Sequence, residues 1–200
     1  MKRIKHFWYA TLRSVARFGM FFWHPVFRTK GAELVPEGPC VIACNHSGMA
    51  DPLWLLFSMR LKVPPRILAK EAVVKVPVLG PFLRWVGLIG VRRGENDITA
   101  IKESLRVLKN GEKLLIYPEG TRVKRGCRLQ AKTGAVMLAM RAGVPVLPVW
   151  VQPRRAPFVP VRAVIGAPYM PQCEGKPTAE VLRRLTDEMM DGIYALGETV

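Results

Sequence analysis

Residues 41–61 read VIACNHSGMADPLWLLFSMRL, and the change of pattern inside them decides the fold. Val41, Ile42, Ala43 and Cys44 form an unbroken apolar run of strand length, which suits a strand covered on both faces. Asp51-Pro52 then opens a helical stretch over 52–61, because Asp favours the N-cap and Pro the first helical position. The segment between them carries Asn45, His46 and Asp51. A strand-to-helix loop of this kind is where α/β sheets hold their sites. Two readings of Asp51 are open: a plain helix cap, or a carboxylate that folds back on one ring nitrogen of His46 and holds its tautomer.

The alternation continues downstream. Ile98, Ile101, Leu105 and Leu108 mark a helix that Asn96 or Asp97 caps and Gly111 ends, before a strand over 113–117. A helix over 133–142 stops at Gly143, and a strand over 144–151 follows, whose prolines predict a place near an end or edge of the sheet. Residues 161–165 add a strand, and 178–196 a closing helix with Val181, Leu185 and Met189 inward. Strand, helix, strand, helix predicts an α/β sheet. The apolar stretch 72–91 is interrupted by Lys75, Arg84, Pro77, Gly80, Pro81, Gly87 and Gly90, so it predicts a short helix over 78–85 and then a strand or turn, not a membrane span.

The N-terminal residues have a different character. Lys2, Arg3, Lys5, Arg13, Arg17, Arg28 and Lys30 occur with no acid before residue 33. Ile4, Phe7, Trp8, Leu12, Val15, Phe18, Phe22 and Trp23 recur at three- and four-residue steps, which gathers them on one side of a helix with the bases on the other. Arg13 and Arg17 interrupt the apolar run and His24-Pro25 ends it, too early for a spanning helix or a signal-peptide core. Aromatic bulk beside an acid-free polar face predicts a helix lying on a membrane surface.

Composition narrows the classes. The chain has 200 residues, half of them hydrophobic, and a mean hydropathy of +0.13, which excludes disordered and collagen-like chains. Its formal net charge of +16 favours anionic partners: anionic lipid, phosphorylated small molecules or nucleic acid. Cys40, Cys44, Cys127 and Cys173 form no CxxC pair, and His6, His24 and His46 have no metal-ligand spacing, so neither a disulfide framework nor a metal is expected. Cys40 and Cys44 are expected to fill core space. The bases Arg122, Lys124, Arg125, Arg128 and Lys132 are the strongest feature for a nucleic-acid binder, but no helix-turn-helix, zinc-finger or RNP pattern accompanies them.

Further polar groups follow other buried strands. Tyr117-Pro118-Glu119-Gly120-Thr121-Arg122 sets a carboxylate, backbone amides, a hydroxyl and a guanidinium close together, a combination suited to a phosphate or an oxyanion. Arg92 and Arg93 end the run 87–93 and could reach the same anion, and Lys70-Glu71 reads as a surface ion pair.

In this order the segments resemble the glycerolipid acyltransferases, and most nearly the bacterial lysophosphatidate acyltransferases. Residues 45–51 match the family's N-H-x-x-x-x-D block, 87–93 its second block, 117–122 its F-P-E-G-T-R block with Tyr117 for Phe, and 144–148 its V-P-V-x-P block. The resemblance runs from residue 29 to about 166. It implies a single-domain mixed sheet flanked by helices over 29–200, preceded by an amphipathic membrane-interface segment over 1–28. It implies acyl transfer from a thioester to lysophosphatidate, with His46 as general base and Asp51 orienting it. Asn45, Lys70, Arg93, Glu119, Gly120, Thr121 and Arg122 become the acceptor-binding residues, Arg122 and Lys70 being on the phosphate. The 144–148 block is associated with acyl-donor binding and packing near the site, and Arg92 departs from the Asp of many relatives. No cofactor is expected; an acyl carrier protein or coenzyme A thioester is the co-substrate. Beyond these the expected partner is an anionic membrane at its cytoplasmic face, and no nucleic acid. Nothing suggests a covalent acyl-enzyme, since no G-x-S-x-G elbow is present.

Overall fold

The structure, a computed structural model, describes the chain except residues 1–5, 23, 25, 60, 62, 93–96, 125–126, 154–157 and 200. Its centre is a mixed sheet of β1 (Phe27–Lys30), β2 (Val41–Cys44), β3 (Arg66–Lys70), β4 (Leu88–Val91), β5 (Leu114–Ile116), β6 (Val146–Val151) and β7 (Val161–Ile165), in spatial order β1-β7-β6-β2-β5-β3-β4. β6 and β7 pair antiparallel and every other pair is parallel. The helices are α1 (His6–Phe21), α2 (Asp51–Ser58), α3 (Glu71–Val74), α4 (Leu79–Val86), α5 (Ile98–Lys109), α6 (Gly134–Ala142) and α7 (Ala179–Glu198).

Period-two geometry divides the core into two layers. Val41 and Ala43 of β2 join Leu114, Val146 and the inner sides of α5, α6 and α7, whereas Ile42 and Cys44 face Leu147, Val149, Trp54 and Leu55 beside α2. β2 is fully buried on both faces, as its unbroken apolar run predicts. Cys40 and Cys44 are buried in the second layer, each as a thiol outside any disulfide.

The punctuation falls where local chemistry puts it. Asp97 accepts from the Ala100 amide at the start of α5, Thr178 accepts from Val181 in the first turn of α7, and Gly143 ends α6 in the left-handed region at φ 64°. Asn96, the other expected cap, lies outside the described residues. The stretch 72–91 becomes α3, α4 and β4, and among the described residues no helix is long and apolar enough to cross a membrane.

One expectation fails. The prolines of 144–151 do not send that strand to an edge: β6 lies between β7 and β2. Val146 exchanges hydrogen bonds with Tyr169, and the Pro148 carbonyl accepts from Gly166 on the same side. The donor Pro148 lacks therefore points away from β2, and the β2 ladder is unaffected.

Candidate active site

The chain leaves the sheet at Asn45, one residue past β2. The Asn45 amide nitrogen donates to the Val151 carbonyl at 2.9 Å, and its oxygen accepts from the Val151 amide at 2.8 Å. These two bonds join the ends of β2 and β6. Asn45 is buried and does not line the cavity described below.

His46 follows, with Nδ1 2.8 Å from Asp51 Oδ2. Asp51 is wholly buried, and the same oxygen accepts from the Ser47 and Gly48 amides at 2.7 and 2.8 Å. Ala50, not Asp51, precedes α2, and the Asp51 side chain turns back over the loop. This decides between the two readings left by the sequence. Backbone amides only donate, so Oδ2 accepts, which assigns the imidazole hydrogen to Nδ1 and the lone pair to Nε2. Tyr117 stacks on the ring, with centroids 4.2 Å apart and planes 24° from parallel.

Glu119 plays a part the sequence did not disclose. One oxygen accepts from the His46 amide at 2.6 Å, and the other from the Tyr194 hydroxyl of α7 at 2.6 Å. Its carboxyl is buried, does not line the cavity, and has a pKa raised above the usual carboxylate range by that burial, which the two hydrogen bonds oppose. Glu119 thus meets the site through the backbone of His46. The His46 carbonyl accepts from Val123 at 2.8 Å, so both backbone groups of His46 are tied to the loop that follows β5. Tyr194 had no local signal in the sequence. Burial first, and Glu119 next, push its hydroxyl pKa up.

His46 forms part of the wall of a cavity of about 1050 Å³. Leu12 and Ala16 of α1, Leu53 and Phe57 of α2, and Phe82 and Leu83 of α4 make its apolar sides. Lys70, Arg92, Gly120, Thr121, Arg122 and Lys132 line it too. β2, β5, β3 and β4 run parallel, so His46, Lys70, Arg92 and the 117–132 loop all emerge at the same edge of the sheet. Gly120 sits at φ 68°, and a Cβ there would lie 3.2 Å from the Lys132 side chain. Lys70, Arg122 and Lys132 form no ion pair with a described carboxylate. Glu71 pairs instead with Lys75 at 3.1 Å and Arg92 at 3.4 Å, and Lys75 first and Arg92 after it hold its carboxyl below the usual range. Arg93 lies outside the described residues.

The 144–148 block supplies buried residues and none of the cavity lining. Two further expectations are modified. On α1, Trp8, Val15 and Phe18 are exposed, as is Phe22 just after it, while Tyr9, Leu12, Arg13 and Ala16 line the cavity. Leu12 therefore leaves the outward group, and Arg13 lines the cavity, unlike Arg17. Ile4 and Trp23 are outside the described residues, as is the side chain of Phe7. The 122–132 bases are also dispersed: Arg122 and Lys132 enter the cavity, and Arg128 pairs with Asp191 at 2.8 Å over the Tyr194 ring.

A family model described as Acyltransferase matches residues 26–152. The 1-acyl-sn-glycerol-3-phosphate acyltransferase of Borreliella burgdorferi is 33% identical over 122 residues, 60% of this chain and 48% of that protein. The chloroplastic 1-acyl-sn-glycerol-3-phosphate acyltransferase BAT2 of Brassica napus is 29% identical over 132 residues, 63% of this chain and 38% of that protein. The crystal structure of the 1-acyl-sn-glycerophosphate acyltransferase PlsC from Thermotoga maritima superposes with a TM-score of 0.66 at 26% identity, covering 92% of this chain and 76% of that one. The chain spans about half or less of the length of these curated relatives.

Proposed function

Because the chain belongs to the acyltransferase family, we propose that it transfers a fatty acyl group from an acyl thioester to the free sn-2 hydroxyl of lysophosphatidate, giving phosphatidate. The observation that carries this reading is the 2.8 Å contact between His46 and buried Asp51 in the wall of a cavity that is largely apolar and lined by Lys70, Arg122 and Lys132, which pair with no described carboxylate. An anionic lipid with one free hydroxyl matches both chemistries, and the names of the relatives support the same acceptor.

In the proposed reaction His46 Nε2 takes the hydroxyl proton as the oxygen attacks the thioester carbonyl. Asp51 stabilises the imidazolium through Nδ1–H. The tetrahedral intermediate collapses with loss of the thiolate, and His46 returns the proton to sulfur. Oxygen gains the acyl group, sulfur gains the proton, and no acyl-enzyme forms. Burial pushes the Cys40 thiol up to about 11, which keeps it from acting as a thiolate nucleophile. Arg122 and Lys70 hold the phosphate, and Gly120 and Thr121 shape the approach to it. The donor is an acyl carrier protein or coenzyme A thioester.

The segment 1–28 is assigned to a membrane surface, and the enzyme to its cytoplasmic face. Met49, Leu79 and Phe82 line the cavity and are exposed, Met49 at 82%, so the opening is bordered by apolar side chains suited to a bilayer. The test is an assay in mixed micelles crossing both donors with lysophosphatidate, glycerol 3-phosphate and a lysolipid lacking phosphate. Transfer to lysophosphatidate above the other acceptors is expected. Equal rates with the lysolipid lacking phosphate would overturn the acceptor assignment, and an acyl-enzyme trapped with a slow donor would overturn direct transfer.

A further inference from the structure

A second cavity, of about 430 Å³, lies between α1 and the outer strand β1. Arg17 of α1 and Arg28, Thr29 and Lys30 of β1 line it, with Phe27 and Phe57 among its apolar walls. Arg17 lies over the Phe27 ring, 5.9 Å from its centroid. None of the three cations forms an ion pair with a described carboxylate, and no acid precedes residue 33 in the chain. Cations that line one cavity with no described carboxylate beside them suit an anion, and guanidinium groups and a hydroxyl suit phosphate oxygens.

The position of the cavity indicates which phosphate. Arg17 is next to Phe18 on a helix that turns Trp8, Val15 and Phe18 outward. A lipid with its chains against those side chains would bring its headgroup to the level of Arg17. Phe57 is a wall of both cavities, and the adjacent residues Ala16 and Arg17 line the first and the second respectively. The two pockets are therefore back to back beneath α1.

We propose that Arg17, Arg28, Lys30 and Thr29 form a second phosphate site, separate from the acceptor site, that holds the headgroup of an anionic bilayer lipid and fixes α1 over the catalytic cavity. The ligand is a structural lipid and is not turned over. The assignment goes beyond the proposed reaction and does not depend on it.

Vesicle flotation with the full chain tests the site without an activity readout. Vesicles of phosphatidylcholine with phosphatidylglycerol are compared with phosphatidylcholine alone, for the wild type and two triple variants that lose equal charge. R17Q/R28Q/K30Q removes the site, and K102Q/R106Q/K109Q removes three exposed α5 bases. Each juxtamembrane cation contributes about fivefold to binding an anionic surface, so the first variant should lose on the order of a hundredfold and the second less than about threefold. Equal losses would overturn the site in favour of the general positive charge. T29Y obstructs the pocket without altering charge and should also weaken flotation; wild-type binding by T29Y would overturn the pocket as the seat of the headgroup. Thermal melts with inorganic phosphate distinguish the sources. A small Tm rise with phosphate and a large one with the vesicles support the lipid, whereas saturation by phosphate with no further gain from vesicles would overturn it.

Discussion

In the loop 45–51 the reactive group is fixed from every side. Asp51 holds the His46 ring edge, Tyr117 covers its face, Glu119 takes its amide and Val123 donates to its carbonyl. Elsewhere in the same cavity Lys70, Arg122 and Lys132 extend from exposed positions with no described carboxylate beside them. The loop has met its ordering cost during folding, while each long cation still has up to about 2 kcal/mol of rotamer entropy to lose when a ligand arrives. A proton-transfer group works only within a narrow geometry, whereas charge attraction tolerates movement. Changes in the loop should therefore appear in kcat, and changes among the cations in KM for the acceptor.

The most severe break of this comparison is H46A. It should lower kcat by about 10²–10⁴-fold, the usual contribution of a general base, with little change in the KM for lysophosphatidate or in Tm. Steady-state assays and a thermal melt check it, and near-wild-type turnover would remove His46 from the mechanism. D51N comes next. It keeps the size of the side chain but can present its amide nitrogen to the Ser47 and Gly48 amides and to Nδ1, which leaves buried donors facing one another. Turnover should fall by about 10²-fold, and stability by about 1–3 kcal/mol for the unmatched donor. Loss of activity without any loss of stability would show that Asp51 orients the ring but does not hold the loop.

R122Q sharpens the contrast from the other side. A hydrogen bond to a charged group contributes about 1.5–3 kcal/mol, so KM for lysophosphatidate should rise by about 10–100-fold with kcat nearly unchanged. A fall in kcat at constant KM would place Arg122 on the reacting carbonyl instead of the phosphate.

The same division explains what the sequence made legible. β2, α5 and α6 follow from apolar runs, caps and a terminal glycine, all local signals, and the structure has them. His46 and Asp51 are five residues apart on a loop whose ends are set by a strand and a helix, so their meeting could be anticipated. Glu119 was visible as a carboxylate near the site, but its bonds to His46 and Tyr194 depend on how β5 and α7 pack, which no local pattern encodes. The same holds for Asn45, whose partner Val151 lies on a distant strand. Pro148 misled because a proline rule considers one missing donor and not the side of the strand on which it falls. Arg13 misled because helical periodicity groups residues by angle and cannot say which neighbour covers them.

Y194F is the mildest test and reaches the fixed loop from outside the cavity. Burial raises the Glu119 pKa in the folded chain, and the Tyr194 hydrogen bond lowers it. Between the ordinary carboxylate pKa and the raised one, the native state holds a proton that the unfolded chain has lost. Stability therefore falls as pH rises through that window, and above it the burial cost applies in full. Removing the hydroxyl raises the Glu119 pKa further, so the Y194F window extends to higher pH and the stability deficit is largest at neutral pH, about 1.5 kcal/mol. Gln in E119Q cannot ionise, and its Tm should lose this slope while its amide still offers an acceptor to the His46 backbone. Melts of all three proteins from about pH 4 to pH 8 cover the window. Turnover of Y194F should drop less than about tenfold, through kcat and not KM, because the loop loosens while the cations are untouched. If the Y194F and wild-type stability profiles superpose in pH, then α7 does not brace the loop through Glu119, and the rigidity of His46 does not depend on Tyr194.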